Sequence, residues 1–448
     1  MATTSTMVHL DRAFSGDVIR PGDEAYETFR RTALRVGGPA CILRPRSVSD
    51  VQLAVRCARE SGLALAVRGG GHSFAGFGTN DGGIVIDLRR LNAVEPMDGP
   101  GHCVRIGGGA TWGEVADVLQ PRGLAISSGD TRSVGVAGLT LTGGIGWKAR
   151  RRGLALDRLA AVEVVTAGGT RLRASVAEHP DLFWAVRGGG GNFGVVTEFE
   201  FVADRTTDVH FGRITYPAKE ASRVLAGWAH YMSRAPGELT SIANLANPAT
   251  GGPGAPVEVW VCCDSDDRDA VARALEPLRC LGTVLDDDVA QRRYSDILED
   301  GGVLPPGFEV STRSGFVNGD SVQGALDVVT ESAAASGSPF ISIRSVGGAI
   351  SRIPASATAY AHRTAELLVV SISAGPDTAV AAARPAVDEL WRRLAPQVEG
   401  AYANFTSSRG AADVSAIYPP ETMRRLREAK RRYDADNLFA GNHNIEPA

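Results

Sequence analysis

The sequence predicts an α+β protein of two domains. Three observations carry that expectation. The chain has 448 residues, too many for one compact core. Short apolar runs alternate with a helical pattern ahead of a first glycine cluster at residues 69–71. From about residue 211 to 396 the glycine-rich character fades, and long strand-like and helical stretches replace it. Apolar residues make up 44% and charged residues 22%, ordinary values for a soluble globular enzyme. A net charge of −4 gives no reason to expect nucleic acid or an anionic membrane as partner. Residues 1–20 lack a basic start followed by an apolar stretch, so no secretory signal is expected, and no run is apolar for long enough to span a bilayer. The six cysteines (Cys41, Cys57, Cys103, Cys262, Cys263, Cys280) have no CxxC spacing, which fits a reduced cytoplasmic protein. Cys262 and Cys263 end a strand-like run and read as core residues. The sequence does not set the oligomeric state.

Taken in order, Tyr26, Phe29 and Ala33 at helical spacing predict a helix within residues 21–34. Residues 40–43 read as a strand, Ser49 and Asp50 as possible caps, and residues 51–61 as a helix. Residues 63–67 read as a buried strand that runs into Arg68, Gly69, Gly70, Gly71, His72 and Ser73. Consecutive glycines permit positive φ and bare their N–H groups towards phosphate or carbonyl oxygens, although the triplet alone suits a tight turn between strands equally well. A histidine straight after it can ligate a metal, move a proton or attack an electrophilic carbon. No second ligand lies at a useful spacing, so no metal site is expected.

Arg68-Gly-Gly-Gly-His72-Ser73-Phe74-Ala75-Gly76 resembles the flavin-attachment loop of the berberine bridge enzyme-like oxidases. These belong to the FAD fold shared by p-cresol methylhydroxylase (PCMH) and vanillyl alcohol oxidase. The resemblance implies that His72 is joined covalently to the 8α-methyl of the isoalloxazine ring. It also implies a PCMH-type FAD-binding domain of two subdomains over residues 1–208, and a substrate domain of antiparallel sheet with flanking helices over 209–395. A C-terminal segment, 396–448, then returns to the FAD domain.

Further strands are expected at residues 84–88 and 104–106, and a helix at 112–120 opened by Thr111. Residues 127–147 carry Gly129, Gly135, Gly138, Gly143, Gly144 and Gly146, too many for a packed helix. Such a ribbon can lay N–H groups along a pyrophosphate or the flavin pyrimidine while Val134 and Leu141 cover a flat ring; a glycine-rich arch in a sheet core is the plainer alternative. The stretch resembles the family's corresponding segment. There, Thr131 holds the slot from which a cysteine joins flavin C6 in bicovalent members. A hydroxyl has no comparable acidity, so one covalent bond is expected. Val134 fills the slot where valine generally admits oxygen to the flavin, which favours an oxidase. Thr142 and Lys148 stand where the family pattern has a glycine and an apolar residue.

Residues 159–166 and 170–173 read as a hairpin. Four glycines at 188–191, between Arg187 and Asn192, lead into a strand from Val195. That block, with Gly194, Val195 and Val196, matches the family nearly residue for residue. Strands are expected at 257–263, 340–344 and 367–372, and helices at 218–233, 266–279 and 377–394, the last interrupted or kinked at Pro385. Loops at 244–254 and 299–309 would border a pocket entrance or serve as plain connections. Tyr402-Ala403-Asn404-Phe405, Tyr418 and residues 430–445, with Asn442 and Asn444, resemble the family's C-terminal flavin-contacting segment.

Phe405 occupies a slot that holds a base-assisting tyrosine in many family oxidases, and it has no ionisable oxygen. Tyr402, Tyr360, His362 and Glu366 are the remaining acid or base candidates. The resemblance thus implies a singly attached FAD and an oxidase that moves a hydride from a bulky small molecule to flavin N5. Molecular oxygen then takes the electrons and leaves as hydrogen peroxide. The general character of the chain is also similar to mitomycin-pathway oxidases, including those that reoxidise the reduced drug. Antibiotic biosynthesis, resistance to a reduced quinone, and non-catalytic drug sequestration are the three functions this leaves open.

Overall fold

The computed structural model describes residues 13–99, 101–206, 208–247 and 251–448. The reading of residues 1–12, and part of the 244–254 loop, lie outside the described residues. Three short apolar strands, Cys41–Arg44, Ile84–Asp87 and Leu65–Arg68, run parallel with Ile84–Asp87 in the middle, and Asp17–Ile19 adds antiparallel at one edge. Parallel neighbours need a crossover, here the helix Val48–Ser61, whose Val51, Ala54, Val55 and Ala58 are buried. Its cap is Ser47, which accepts from the Asp50 N–H at 3.1 Å, so the expected caps Ser49 and Asp50 are corrected. Asp50 is buried instead and accepts from Ser15 N–H and hydroxyl at 2.8 and 2.7 Å. The helix expected within 21–34 contracts to a single turn, Tyr26–Phe29. The Thr32 hydroxyl bonds the main chain of Arg35 and turns the chain back into an Arg31–Val36 bridge.

A second, antiparallel sheet has the order Val94–Pro96, Cys103–Gly107, Val195–Val202, Leu159–Val165, Arg171–Ser175. Along its central strand Phe199 and Phe201 are buried while Glu198 and Glu200 are half-exposed, the alternation a one-faced sheet requires. The helix Trp112–Leu119 carries the expected Thr111 cap, completed by Glu114. Within 127–147 the chain forms a helix, Val136–Leu141, which the glycine count argued against. Val136, Ala137 and Leu141 are buried there, and Gly135 is needed because another main chain touches it, not because the ribbon is loose.

Between Val209 and Pro376 an eight-stranded antiparallel sheet forms. Helices Ala221–Met232, Arg268–Arg279, Val322–Ala333 and Asp377–Leu394 pack on it through Val224, Trp228, Leu275, Val329 and Trp391. The last helix runs unbroken through Pro385, which is exposed, so the hydrogen bond it forfeits lies on the solvent side. The helix Pro420–Tyr433 then packs against Pro180–Val186. Its buried Lys430 ammonium donates to Asp434 at 2.7 Å and to the Asn192 carbonyl at 2.9 Å.

Lys148 finds its reason between the first half and the large sheet. Its ammonium lies 2.5 Å from Asp264 Oδ1 and 2.9 Å from the Thr206 hydroxyl, with Lys148 and Asp264 side chains each 2% exposed. An apolar residue there would leave the Asp264 carboxylate buried with Arg151 as its remaining cation. Removing one member of a buried pair strands the other, so Asp264→Ala should lower unfolding free energy by about 3 kcal/mol or more. Urea denaturation followed by circular dichroism measures this.

Candidate functional site

The strand Leu65–Arg68 ends in Gly69, Gly70 and Gly71, with Gly71 at φ +76°. Gly70 meets Gly135 main chain to main chain. A Cβ built on Gly70 would fall 2.2 Å from Gly135 N, and one on Gly135 would fall 2.2 Å from Gly70 N. No other residue fits on either side. Beyond the contact, the N–H groups of Gly70, Gly71, His72 and Ser73 have no acceptor among the described residues. These residues line a cavity of about 400 Å³. Its wall includes the attachment loop, the 129–145 ribbon, the 190–196 segment, Gly301 and Gly302, and the C-terminal residues Tyr402–Phe405, Tyr418 and Phe439–His443.

His72 is half-buried in this wall, and neither ring nitrogen has a partner among the described residues. Burial pushes its pKa below the ordinary imidazole value, so the ring is neutral at neutral pH and keeps a free lone pair. A strap from the loop ahead of strand Phe308–Val317 covers it. Glu299 N–H donates to the Asp130 carbonyl and Arg132 N–H to the Glu299 carbonyl, each at 2.8 Å. This brings Gly301 so close that a Cβ there would lie 2.9 Å from His72 Cε1 and 2.8 Å from Thr131 Cγ2.

Of the residues expected to hold a cofactor, Arg68, Gly69, Gly70, Gly71, Ser73, Gly129, Thr131, Val134, Gly135, Gly138, Leu141, Gly194, Val196, Asn404 and Asn442 line the cavity with His72. Gly76, Gly143, Gly144, Gly146, Val195 and Asn444 lie outside that wall. Gly76 abuts Arg35 and Arg409, Gly146 abuts the Ser128 carbonyl, and Val195 points into the core behind the strand. Gly143 and Gly144 act one step back. At φ +144° and +93° they bend the chain around the Tyr402 ring, so that Gly144 and Ile145 N–H donate to its phenol oxygen at 2.9 and 3.3 Å. Asn404 Nδ2 is a third donor at 2.9 Å, and the Thr142 hydroxyl donates to Asn404 Oδ1 at 2.6 Å. Thr142 thereby orients the Asn404 amide, a task no glycine performs. Burial pushes the Tyr402 phenol up, while the Asn404, Gly144 and Ile145 donors and the charge of Arg344 work against that rise.

Tyr402 lines the cavity; Tyr360, His362 and Glu366 do not. Tyr360 stands one ring behind Tyr402, centroids 6.3 Å apart, and is buried with no partner for its hydroxyl among the described residues. His362 stacks on Phe316 at 4.7 Å and bonds the Ile417 carbonyl, facing a separate hollow. Asp130 is a wall residue that sequence reasoning missed, whereas Gly301 and Gly302 belong to the 299–309 loop and His443 to the 430–445 segment, which the sequence had set at a pocket entrance and at the flavin. Asp130 lay in plain view as the one carboxylate inside the glycine ribbon.

The FAD binding domain family matches residues 39–175. Over nearly the whole length, (R)-6-hydroxynicotine oxidase of Paenarthrobacter nicotinovorans is 32% identical, covering 97% of each chain. The chain belongs to the berberine bridge enzyme-like FAD-linked oxidases. Xylooligosaccharide oxidase of Thermothelomyces thermophilus is 30% identical over 92% of this chain and 88% of its own. The crystal structure of 6-hydroxy-D-nicotine oxidase from Arthrobacter nicotinovorans superposes with a TM-score of 0.85 at 29% identity, covering 97% of this chain and 99% of that one. Glucooligosaccharide oxidase from Acremonium strictum, which carries a 6-S-cysteinyl, 8α-N1-histidyl FAD, shares the fold with a TM-score of 0.86 at 22% identity, covering all of both chains.

As a berberine bridge enzyme-like oxidoreductase the protein takes FAD, and its residues fit that group. Unpaired N–H groups suit phosphate or ring-carbonyl oxygens, and the unpartnered neutral imidazole suits a tether. Gly70→Ala must push the two ribbons apart at Gly135. The purified variant should lose flavin several-fold, read as the ratio of visible flavin absorbance to protein absorbance.

Proposed function

We propose that this oxidoreductase carries FAD on a single covalent bond through His72 and oxidises a bulky small molecule of secondary metabolism, with oxygen as electron acceptor. The observation that carries this reading is the neutral, unpartnered imidazole of His72 in the cavity wall, beside a threonine and not a cysteine. Bound FAD supplies a two-electron acceptor that oxygen regenerates, with hydrogen peroxide as product. Thr131 gives its hydroxyl to Asp130 at 3.1 Å and offers no thiolate for a second bond. Val134 keeps that part of the wall small, in keeping with access for oxygen. Residues 1–208 and 396–448 would hold the cofactor, and residues 209–395 would cover the substrate. The same reading puts the enzyme in the cytoplasm, where the exposed Cys280 thiol stays reduced.

Tyr402 is the acid–base group of this reading. Burial is the largest influence on it and keeps the phenol protonated, while three N–H donors to its oxygen oppose that rise and would steady the phenolate once the proton has left. Phe405 at the neighbouring wall position favours a second reading, reoxidation of a reduced quinone antibiotic. A hydroquinone hydroxyl is far more acidic than an alcohol and needs less help from a base. A flavin-holding protein that sequesters a drug without turnover would differ from both by releasing no peroxide.

On a denaturing gel the wild-type band should fluoresce as flavin, and His72→Ala should not. Flavin released from the denatured wild type contradicts the bond. Thr142→Val frees the Asn404 amide, weakens a donor to the Tyr402 oxygen and so raises the phenol's pKa. The rising limb of kcat/KM against pH should therefore move to higher pH; an unmoved profile removes Tyr402 as base.

A further inference from the structure

The strap over His72 comes from the other half of the molecule. It runs between two strands of the large sheet, Ala290–Arg292 and Phe308–Val317, and reaches the cavity wall at Gly301 and Gly302. Main-chain bonds fasten it on both sides of the imidazole. On one side Glu299 is tied to Asp130 and Arg132. On the other, Leu304 N–H donates to the Ala33 carbonyl at 2.8 Å, and Ala33 N–H donates to the Gly71 carbonyl at 3.1 Å. Gly71 directly precedes His72. The strap is thus bonded to the ribbon that carries Thr131 and, through Ala33, to the attachment loop itself.

Gly301 sits between these fastenings. It does not have the positive φ that would require glycine for its backbone, so the missing side chain is a matter of space. A Cβ there would lie 2.8 Å from Thr131 Cγ2, 2.9 Å from His72 Cε1 and closer still to Ser133 Oγ. Thr131 is held through its hydroxyl by Asp130 at 3.1 Å, whereas no hydrogen bond holds the His72 ring among the described residues. The ring therefore rests on packing, and a methyl group at Gly301 would fall about half an ångström short of ordinary contact with it. Cε1 lies between the two ring nitrogens, so a push there moves both. Bond formation needs one of them in line with the carbon it attacks, and a misplacement of about 1 Å can cost about a hundredfold in rate.

We propose that the strap, through Gly301, positions the His72 imidazole for covalent attachment of FAD, so that attachment depends on the large sheet being docked on the FAD-binding half. This rests on the single-tether reading above and adds what orients the tether. Forming the bond takes one hydrogen from the imidazole nitrogen and one from the 8α carbon, and oxygen accepts both with their electrons as hydrogen peroxide. Gly301 takes part in none of these transfers and is a positioning residue. It leaves the ring the one space from which a nitrogen reaches the cavity.

The test follows attachment and not turnover. Wild type, Gly301→Ala and Asp300→Ala are purified soon after induction and incubated in air with free FAD. At intervals each is desalted and precipitated with acid, and bonded flavin in the pellet is compared with unbonded flavin in the supernatant. Gly301→Ala should hold as much total flavin as wild type but form the bond about tenfold or more slowly. The Asp300 side chain is 97% exposed, so Asp300→Ala alters the strap away from the imidazole and should keep the wild-type rate. Bond formation at the wild-type rate in Gly301→Ala, equal slowing in both variants, or a fall in total flavin that matches the fall in bonded flavin overturns the assignment. If circular dichroism shows Gly301→Ala unfolded, Leu304→Pro decides. It deletes the N–H given to Ala33, adds no atom beside His72, and should slow the bond with total flavin kept; the wild-type rate there overturns the assignment. Wild-type flavin that never enters the pellet instead overturns the tether reading, so the two failures are told apart.

Discussion

Everything at the site depends on two strips of bare main chain touching at Gly70 and Gly135. A single methyl group on either would overlap the other backbone. The contact fixes where the attachment loop lies relative to the 129–145 ribbon, and with it the direction of four unpaired N–H groups and the His72 imidazole. Most proteins bury backbone polar groups in pairs. Here Gly70 to Ser73, half-buried in the cavity wall, have N–H groups with no acceptor among the described residues, which suits a ligand rich in acceptor oxygens. The glycines therefore permit the approach of two backbones and keep the N–H groups reachable for a third party.

Around that contact the rest of the chain is arranged as a set of clamps. The C-terminal helix returns to the first half and locks the Asn192 turn through a buried lysine. Tyr402 pins the 143–145 bend by accepting its N–H groups. The large sheet sends the 299–302 strap across His72 and Thr131, and Arg344 across to Asp130. Lys148 and Asp264 join the same two bodies away from the cavity. The cavity is thus closed by residues far apart in sequence, and a substitution in either body reaches the imidazole through packing.

Much of this was legible before any coordinates. Apolar runs with clear flanks gave strands such as Ile84–Asp87 and Val257–Cys263 their true places, and Thr111 announced its helix, because these features are local. The attachment loop was legible for the same reason: three glycines, a histidine and a serine are consecutive. What failed was nonlocal. Glycine frequency argued against the helix Val136–Leu141, since nothing in the window tells a loose ribbon from one pressed against another backbone. Tyr360 and His362 read as candidate bases by chemistry alone, while depth put one behind Tyr402 and the other at a separate hollow. Thr142 and Lys148 looked like unexplained departures until Asn404 and Asp264, each more than a hundred residues away, supplied their partners.

The most direct test of the central claim is to digest the denatured protein with trypsin and locate the flavin by mass spectrometry. Cleavage after Arg68 and Arg89 isolates residues 69–89, which carry His72, and cleavage after Arg122 and Arg132 isolates residues 123–132, which carry Thr131. All of the flavin mass on the peptide 69–89 and none on 123–132 is the expected result. Flavin on the second peptide, or on no peptide, would contradict a dinucleotide held between two glycine ribbons and tethered once, at His72.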